Sequence, residues 1–171
     1  MDNNELQNAL SKLGQHITTP IRLYLIGGSA LTLLGSPRQT IDIDFIGSDL
    51  PTDMEHQALL QAARELNIFL EPVPLERFIP LPKGDNNRAI RIGQFNNLDI
   101  YVADPYSIAL SKLDRGFDTD LDDIIFLIQH GYIEIETLKQ TTETALQRAR
   151  EFDINPSDLQ AHLQIVQERL K

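Results

Sequence analysis

Apolar positions along the chain fall into a few clear periods. Leu6, Leu10, Leu13 and Ile17 recur at helical spacing and predict an amphipathic helix over Asn3–Ile17, which Thr19-Pro20 ends. Ile21–Ile26 then reads as an apolar strand that runs into Gly27-Gly28-Ser29 and a short helical stretch. In the next strand Ile41, Ile43 and Phe45 alternate with Asp42 and Asp44, so the apolar side chains face one way and the two acids the other. Thr52–Phe69 reads as a longer helix with the stripe Met54, Ala58, Ala62, Leu66 and Phe69, and His56 near its start reads as a surface residue. Pro72, Pro74, Pro80 and Pro82 flank an edge strand. Arg88–Phe95 and Leu98–Ala103 form a hairpin whose Asn96-Asn97 turn suits type I′.

The remainder is helical. Asp104-Pro105 is a cap followed by a first-turn proline, and Ile108, Ala109, Leu110 and Leu113 continue that helix to a bend at Gly116. Another helix starts near Asp118. Glu134–Phe152 and Asn155–Leu170 close the chain as a helical pair, the second with Leu159, Leu163, Val166 and Leu170 on one face. His130 and His162 read as peripheral. The expected fold is α/β (α+β), a small mixed sheet of four or five strands with flanking helices, occupying residues 1–133, and a C-terminal helical extension over 134–171 packed on it.

Composition narrows the function classes. With 171 residues the chain is long enough for a buried core, and with no cysteine it has neither disulfides nor thiolate metal sites. No apolar run approaches the length of a membrane span, and the first residues do not resemble a secretion signal, so the expected location is the cytoplasm. A formal charge of −10 argues against a broad nucleic-acid-binding surface while leaving room for a small basic pocket.

The candidate chemistry lies in residues 26–46. Asp42 and Asp44, one residue apart on a strand, have Cα atoms about 6.5–7 Å apart, close enough to share a divalent cation. Two neighbouring carboxylates repel each other, and a cation relieves that repulsion. Upstream, the Gly27-Gly28 pair lets backbone approach a phosphate closely, and Ser29 is placed to cap the helix or bond a phosphate oxygen. The order strand, Gly-Gly-Ser, helix, then strand with Asp-x-Asp resembles the DNA polymerase β-like nucleotidyltransferase superfamily. Ile26, Gly28-Ser29, Asp42, Ile43, Asp44 and Phe45 carry that resemblance. Gly-Gly-Ser-Ala followed by Arg38-x-Thr40-x-Asp42-Ile43-Asp44-Phe45 is similar to the small bacterial nucleotidyltransferases, which include the AbiEii-like toxins of type IV abortive-infection systems.

The resemblance implies a third carboxylate on a later strand, and Asp99, alternating with Leu98, Ile100 and Val102, fits it. It implies a second block as well, matched by Lys112, Arg115, Asp120 and Asp123. Lys112 has two readings there, a phosphate ligand or a structural ion pair. Arg38 likewise either positions the motif loop or touches phosphate. Lys83-Gly84-Asp85-Asn86-Asn87 reads as an exposed loop, or as a flap from which Lys83 or Arg88 reaches phosphate.

What the resemblance implies is transfer of a nucleoside monophosphate from a nucleoside triphosphate to a hydroxyl of RNA, a protein or a small molecule. Asp42, Asp44 and Asp99 would be the catalytic and metal-binding residues for Mg²⁺ or Mn²⁺. Gly27, Gly28, Ser29, Arg38, Lys112 and Arg115 would bind the nucleotide. An antitoxin or a second copy of the chain is the implied partner. The alternative is a nucleotide-binding or partner-binding module of the same fold without turnover.

Overall fold

The computed structural model describes residues 1–50 and 56–171. The expected start of the third helix, with Met54, lies outside the described residues. Two compact units divide the chain: Met1–Pro74 with Ala89–Ala103, and Leu75–Arg88 with Asp104–Lys171.

The first unit is built on a five-stranded mixed sheet. Its strands are β1 (Ile21–Ile26), β2 (Ile43–Ile46), β3 (Leu70–Val73), β4 (Ile90–Phe95) and β5 (Leu98–Val102), in the order β3-β2-β1-β5-β4. β1 is central, antiparallel to β2 and parallel to β5, and β2 runs parallel to the edge strand β3. β4 and β5 form the expected hairpin. Among the described residues only Asn96 of its turn takes positive φ, at 54°, so the turn is not type I′, which needs two such residues.

One face of the sheet is apolar, with Leu23, Leu25, Ile43, Phe45, Leu98, Ile100 and Val102 buried. Helix α1 (Asn3–His16) packs on that core through Leu6, Leu10 and Leu13. A capping box fixes its start: Glu5 N–H donates to the Asp2 carboxylate, and Asp2 N–H donates back to Glu5. Ile41 departs from the sequence expectation. It precedes β2 and is 82% exposed, so it is not part of the apolar row. Helix α2 spans Gly27–Leu33.

Helix α3 (Gln57–Glu65) is shorter than expected. It buries Leu59, Ala62 and Ala63, whereas Ala58 is exposed and Phe69 is 72% exposed beyond the helix end. Asn67, at φ 57°, turns the chain out of the helix and into β3. His56 also corrects the sequence reading: it is buried, its ring edge-on to Phe45 at 4.9 Å, and its Nδ1 has no hydrogen-bond partner among the described residues.

The second unit gathers α4 (Pro105–Arg115), α5 (Asp118–Gln129), α6 (Ile135–Leu146) and α7 (Pro156–Arg169) with the segment Leu75–Arg88. The sequence caps hold. Asp104 accepts the N–H groups of Tyr106 and Ser107, and Asn155 accepts those of Ser157 and Asp158, with proline opening each helix. Gly116, at φ 71°, ends α4 in the left-handed conformation that glycine tolerates best. Leu113, Ile124, Leu127, Leu138, Leu159 and Val166 form the core. Two expectations are corrected: α6 stops at Leu146 and gives way to a 3₁₀ turn at Ala149–Glu151, and His162 is part-buried, its Nδ1 2.5 Å from the Leu113 carbonyl. Among the described residues no helix is long and apolar enough to cross a membrane.

Candidate active site

β1 delivers the chain to Gly27, whose φ of 66° turns it directly into α2. A Cβ at this position would stand 2.9 Å from Asp44 Oδ2. Two constraints therefore select glycine: a left-handed backbone, and a carboxylate laid against its Cα. Gly28 is enclosed in the same way, since a Cβ there would lie 3.0 Å from Thr40 Oγ1 and 3.2 Å from Arg38 Nη2. The glycine pair, Asp44, Arg38 and Thr40 thus form one cluster.

The loop between α2 and β2 is held by two buried threonines. Thr32 Oγ1 lies 3.0 Å from the Gly28 carbonyl and 3.2 Å from the Arg38 carbonyl, tying the helix to the loop. Thr40 donates its hydroxyl to the Asp42 carbonyl at 2.9 Å. Neither threonine stands out in the sequence as a site residue, although Thr40 lies inside the motif that carries the resemblance. Ser29 is 1% exposed and donates its hydroxyl to the Ile26 carbonyl at 3.0 Å. Its hydroxyl therefore locks the turn from inside. Asp42 lies just ahead of β2 and Asp44 within it, both half-buried.

Strand register separates Asp99 from this cluster. On β1, Ile26 pairs with Asp44 and Arg22 pairs with Asp99. Four residues of β1 and two strand spacings put the Asp44 and Asp99 Cα atoms about 16 Å apart. Alternation placed Asp99 on the right face but at the wrong end of it. There it accepts Arg22 Nε at 3.2 Å and Arg91 Nε at 3.1 Å. Near the level of Asp44, β5 offers Tyr101, and then Ala103, whose N–H donates to the Leu25 carbonyl. The expected three-carboxylate cage is not assembled, and among the described residues no group of three His, Asp, Glu or Cys side chains could hold a metal.

Lys112 and Arg115 belong to the helical unit. Lys112 is 4% exposed at its side chain, with Nζ 2.8 Å from Asp123 Oδ2 and 3.6 Å from Asp120 Oδ1. Arg115 grips Asp120 with two bonds, of 2.5 and 3.2 Å, and is itself 62% exposed. Burial pushes the Asp120 carboxyl up. The hydrogen bond and charge of Arg115, the Lys112 ammonium and the Phe117 N–H outweigh burial and hold it below the usual carboxylate range. Of the two readings of Lys112, the ion pair is the one with visible partners.

The loop at 83–88 is equally committed. Arg88 binds Asp104 through Nε at 2.8 Å and Nη2 at 2.7 Å, and its Nη1 donates to the Lys83 carbonyl.

One family pattern covers residues 4–170 of the sequence, that of a nucleotidyltransferase of unknown function (DUF6036). The chain belongs to that family. No curated protein and no solved structure matches it.

For a member of this nucleotidyltransferase family the donor set can be weighed against a metal ion. Asp44 on β2 and Asp42 just ahead of it supply two hard oxygen donors two residues apart. Mg²⁺ is commonly held by one or two carboxylates together with substrate phosphates, so this pair fits one ion that arrives with a nucleotide. It does not fit a cage in which three protein carboxylates hold two ions.

Proposed function

We propose that this nucleotidyltransferase-family chain moves a nucleoside monophosphate from a nucleoside triphosphate to a hydroxyl acceptor, dependent on Mg²⁺ or Mn²⁺. The observation that carries the reading is the Asp44 carboxylate seated on Gly27 beside Arg38 on Gly28, an acid and a cation facing one glycine turn. Asp42 and Asp44 would hold the ion, which when bound neutralises phosphate charge. Arg38 adds a fixed guanidinium suited to phosphate oxygens. Gly27 and Gly28 admit the phosphates close to the backbone.

In the transfer, the acceptor oxygen bonds to the α-phosphorus and the bond to pyrophosphate breaks. The acceptor proton passes to solvent, because Asp99 is too far away to take it. Positioning of the acceptor and electrostatic stabilisation of the charge that develops on the α-phosphate would supply the acceleration. The finer kinship, with the AbiEii-like toxins of bacterial abortive-infection systems and their antitoxin partners, rests on Arg38-x-Thr40-x-Asp42-Ile43-Asp44-Phe45 and on the Lys112 block.

A second reading, a nucleotide-binding or partner-binding module without turnover, is favoured by one observation: Asp99 is occupied by two arginines far from Asp44. Incubation with each labelled nucleoside triphosphate, Mg²⁺ and total RNA or cell lysate separates the two. Label transfer that falls about a hundredfold or more in Asp44→Asn is expected for the enzyme. Nucleotide-dependent stabilisation against melting without any transfer would establish the module instead.

A further inference from the structure

The face of the sheet that carries Asp44 holds a second cluster further down β1. Alternation puts Arg22, Tyr24 and Ile26 on that face, and register adds Asp99 and Tyr101 from β5 and Arg91 from β4. Asp99 holds both arginines by Nε, and both side chains remain 54% exposed. Two guanidinium groups and one carboxylate leave one net positive charge on a half-exposed patch.

Arg22 also lies flat enough on Tyr101 for its Cζ to sit 4.9 Å from the ring centroid, and Tyr24 flanks Tyr101 at 5.2 Å. A guanidinium backed by an aromatic ring is a plane on which a nucleobase stacks. The placement is selective. The sheet unit has five Lys and Arg (Lys12, Arg22, Arg38, Arg64, Arg91) against ten Asp and Glu, yet three of the five line the route from this cluster to the glycine turn.

We propose that this face is the acceptor track. A single-stranded polynucleotide lies along β1, one base stacked on the Arg22–Tyr101 pair, phosphodiesters on Arg22 and Arg91, and its terminal hydroxyl towards Asp42 and Asp44. Arg22 and Tyr24 step along the accessible part of this face at about 6.5–7 Å, a spacing that suits successive nucleotides of an extended strand, and buried Ile26 floors its end beside Asp44. Asp99 is then a positioning residue that fixes two arginines. The reaction at the end of the track rests on the transfer reading above, but binding along it needs neither metal nor nucleoside triphosphate.

The test is fluorescence anisotropy of labelled single-stranded RNA and DNA 12-mers of one sequence, with the whole chain, in EDTA and without nucleotide. Binding of either oligomer is expected, weakened at least tenfold by Arg22→Gln combined with Arg91→Gln. The salt dependence should flatten by about 1.4 in log–log slope for two lost phosphate contacts. Arg22→Lys keeps the charge and removes the plane, so affinity should fall about tenfold with the slope retained. Lys12→Gln combined with Arg64→Gln removes the same charge elsewhere in the unit and should leave binding unchanged. Circular dichroism melts confirm that each variant is folded. No binding by the wild-type chain, equal binding by the Arg22/Arg91 variant, or an equal loss in the Lys12/Arg64 control would each overturn the track. Transfer onto a protein without oligonucleotide binding overturns it while sparing the transfer reading. Arginine-dependent binding without any label transfer supports the track and removes the transfer reading.

Discussion

Replacing Lys112 by methionine separates a structural cation from a substrate-binding one. Lys112 Nζ is 2.8 Å from Asp123 and 3.6 Å from Asp120, and the side chain is 4% exposed. Methionine nearly fills the same space, so the change removes charge more than volume. Asp120 keeps its two bonds to Arg115, but Asp123, 6% exposed at its side chain, loses the ammonium that faces it. Breaking a buried ion pair from one side costs about 3–5 kcal/mol. For a chain of this size, at roughly 2–4 °C per kcal/mol, Tm should fall by roughly 6–20 °C with no nucleotide present. Adding Asp123→Leu removes the carboxylate that faced the ammonium and should restore much of the loss, because apolar replacement of both partners is often close to neutral. Urea unfolding followed by far-UV circular dichroism on the wild type, both single variants and the double variant gives the coupling energy, expected at about 2 kcal/mol or more. A Lys112→Met chain within about 1 kcal/mol of wild type, or a double variant no better than the single, would refute the reasoning.

The glycine turn and the acid response give two more expectations. Gly27→Ala forces an L side chain into a left-handed backbone, costing about 1–2 kcal/mol, and its methyl meets Asp44 Oδ2 at 2.9 Å. Nucleotide-induced stabilisation in thermal melts should vanish in this variant, and its retention would mean the Asp44 seat is not used. Asp120 has a depressed folded pKa, so its contribution is present above the unfolded value of about 3.9 and is lost as pH falls through the folded one. The stability gap between wild type and Asp120→Asn, read from urea midpoints, should be constant from pH 7 to about 5 and close below about pH 4. A gap that persists to pH 2 counts against the ion-pair network.

Local signals in the sequence translated well. Asp104-Pro105 and Asn155-Pro156 mark helix starts because a cap and a first-turn proline act within one turn, and both caps are made. The apolar alternation of Leu98, Ile100 and Val102 put Asp99 on the correct face. It could not give the level along the strand, which depends on how β5 pairs with β1, a contact across more than seventy residues. Of the two arginines that occupy Asp99, Arg22 is 77 residues away on β1, and Arg91, 8 residues away across the predicted hairpin, reaches it only through a register that shifts between Arg91 and Gly93. His56 failed for a similar reason. A histidine near a helix start is polar by habit, and only the Phe45 ring on a different strand shows why this one is buried. The seating of Asp44 on Gly27 was half legible: the glycines and the acid stood out, but not the contact that joins them.

The chain passes between its two units three times, after Pro74, Arg88 and Ala103. During synthesis, Leu75 and Ile79 leave the ribosome long before the last helix of their own unit, which ends at Arg169. At 5–20 residues per second the wait from Arg88 to Arg169 is about 4–16 s, with Leu75, Ile79 and Pro80, all destined for burial, still exposed. No single cut frees either unit whole, so a shortened fragment ending at Ala103 carries an orphaned apolar segment and invites aggregation.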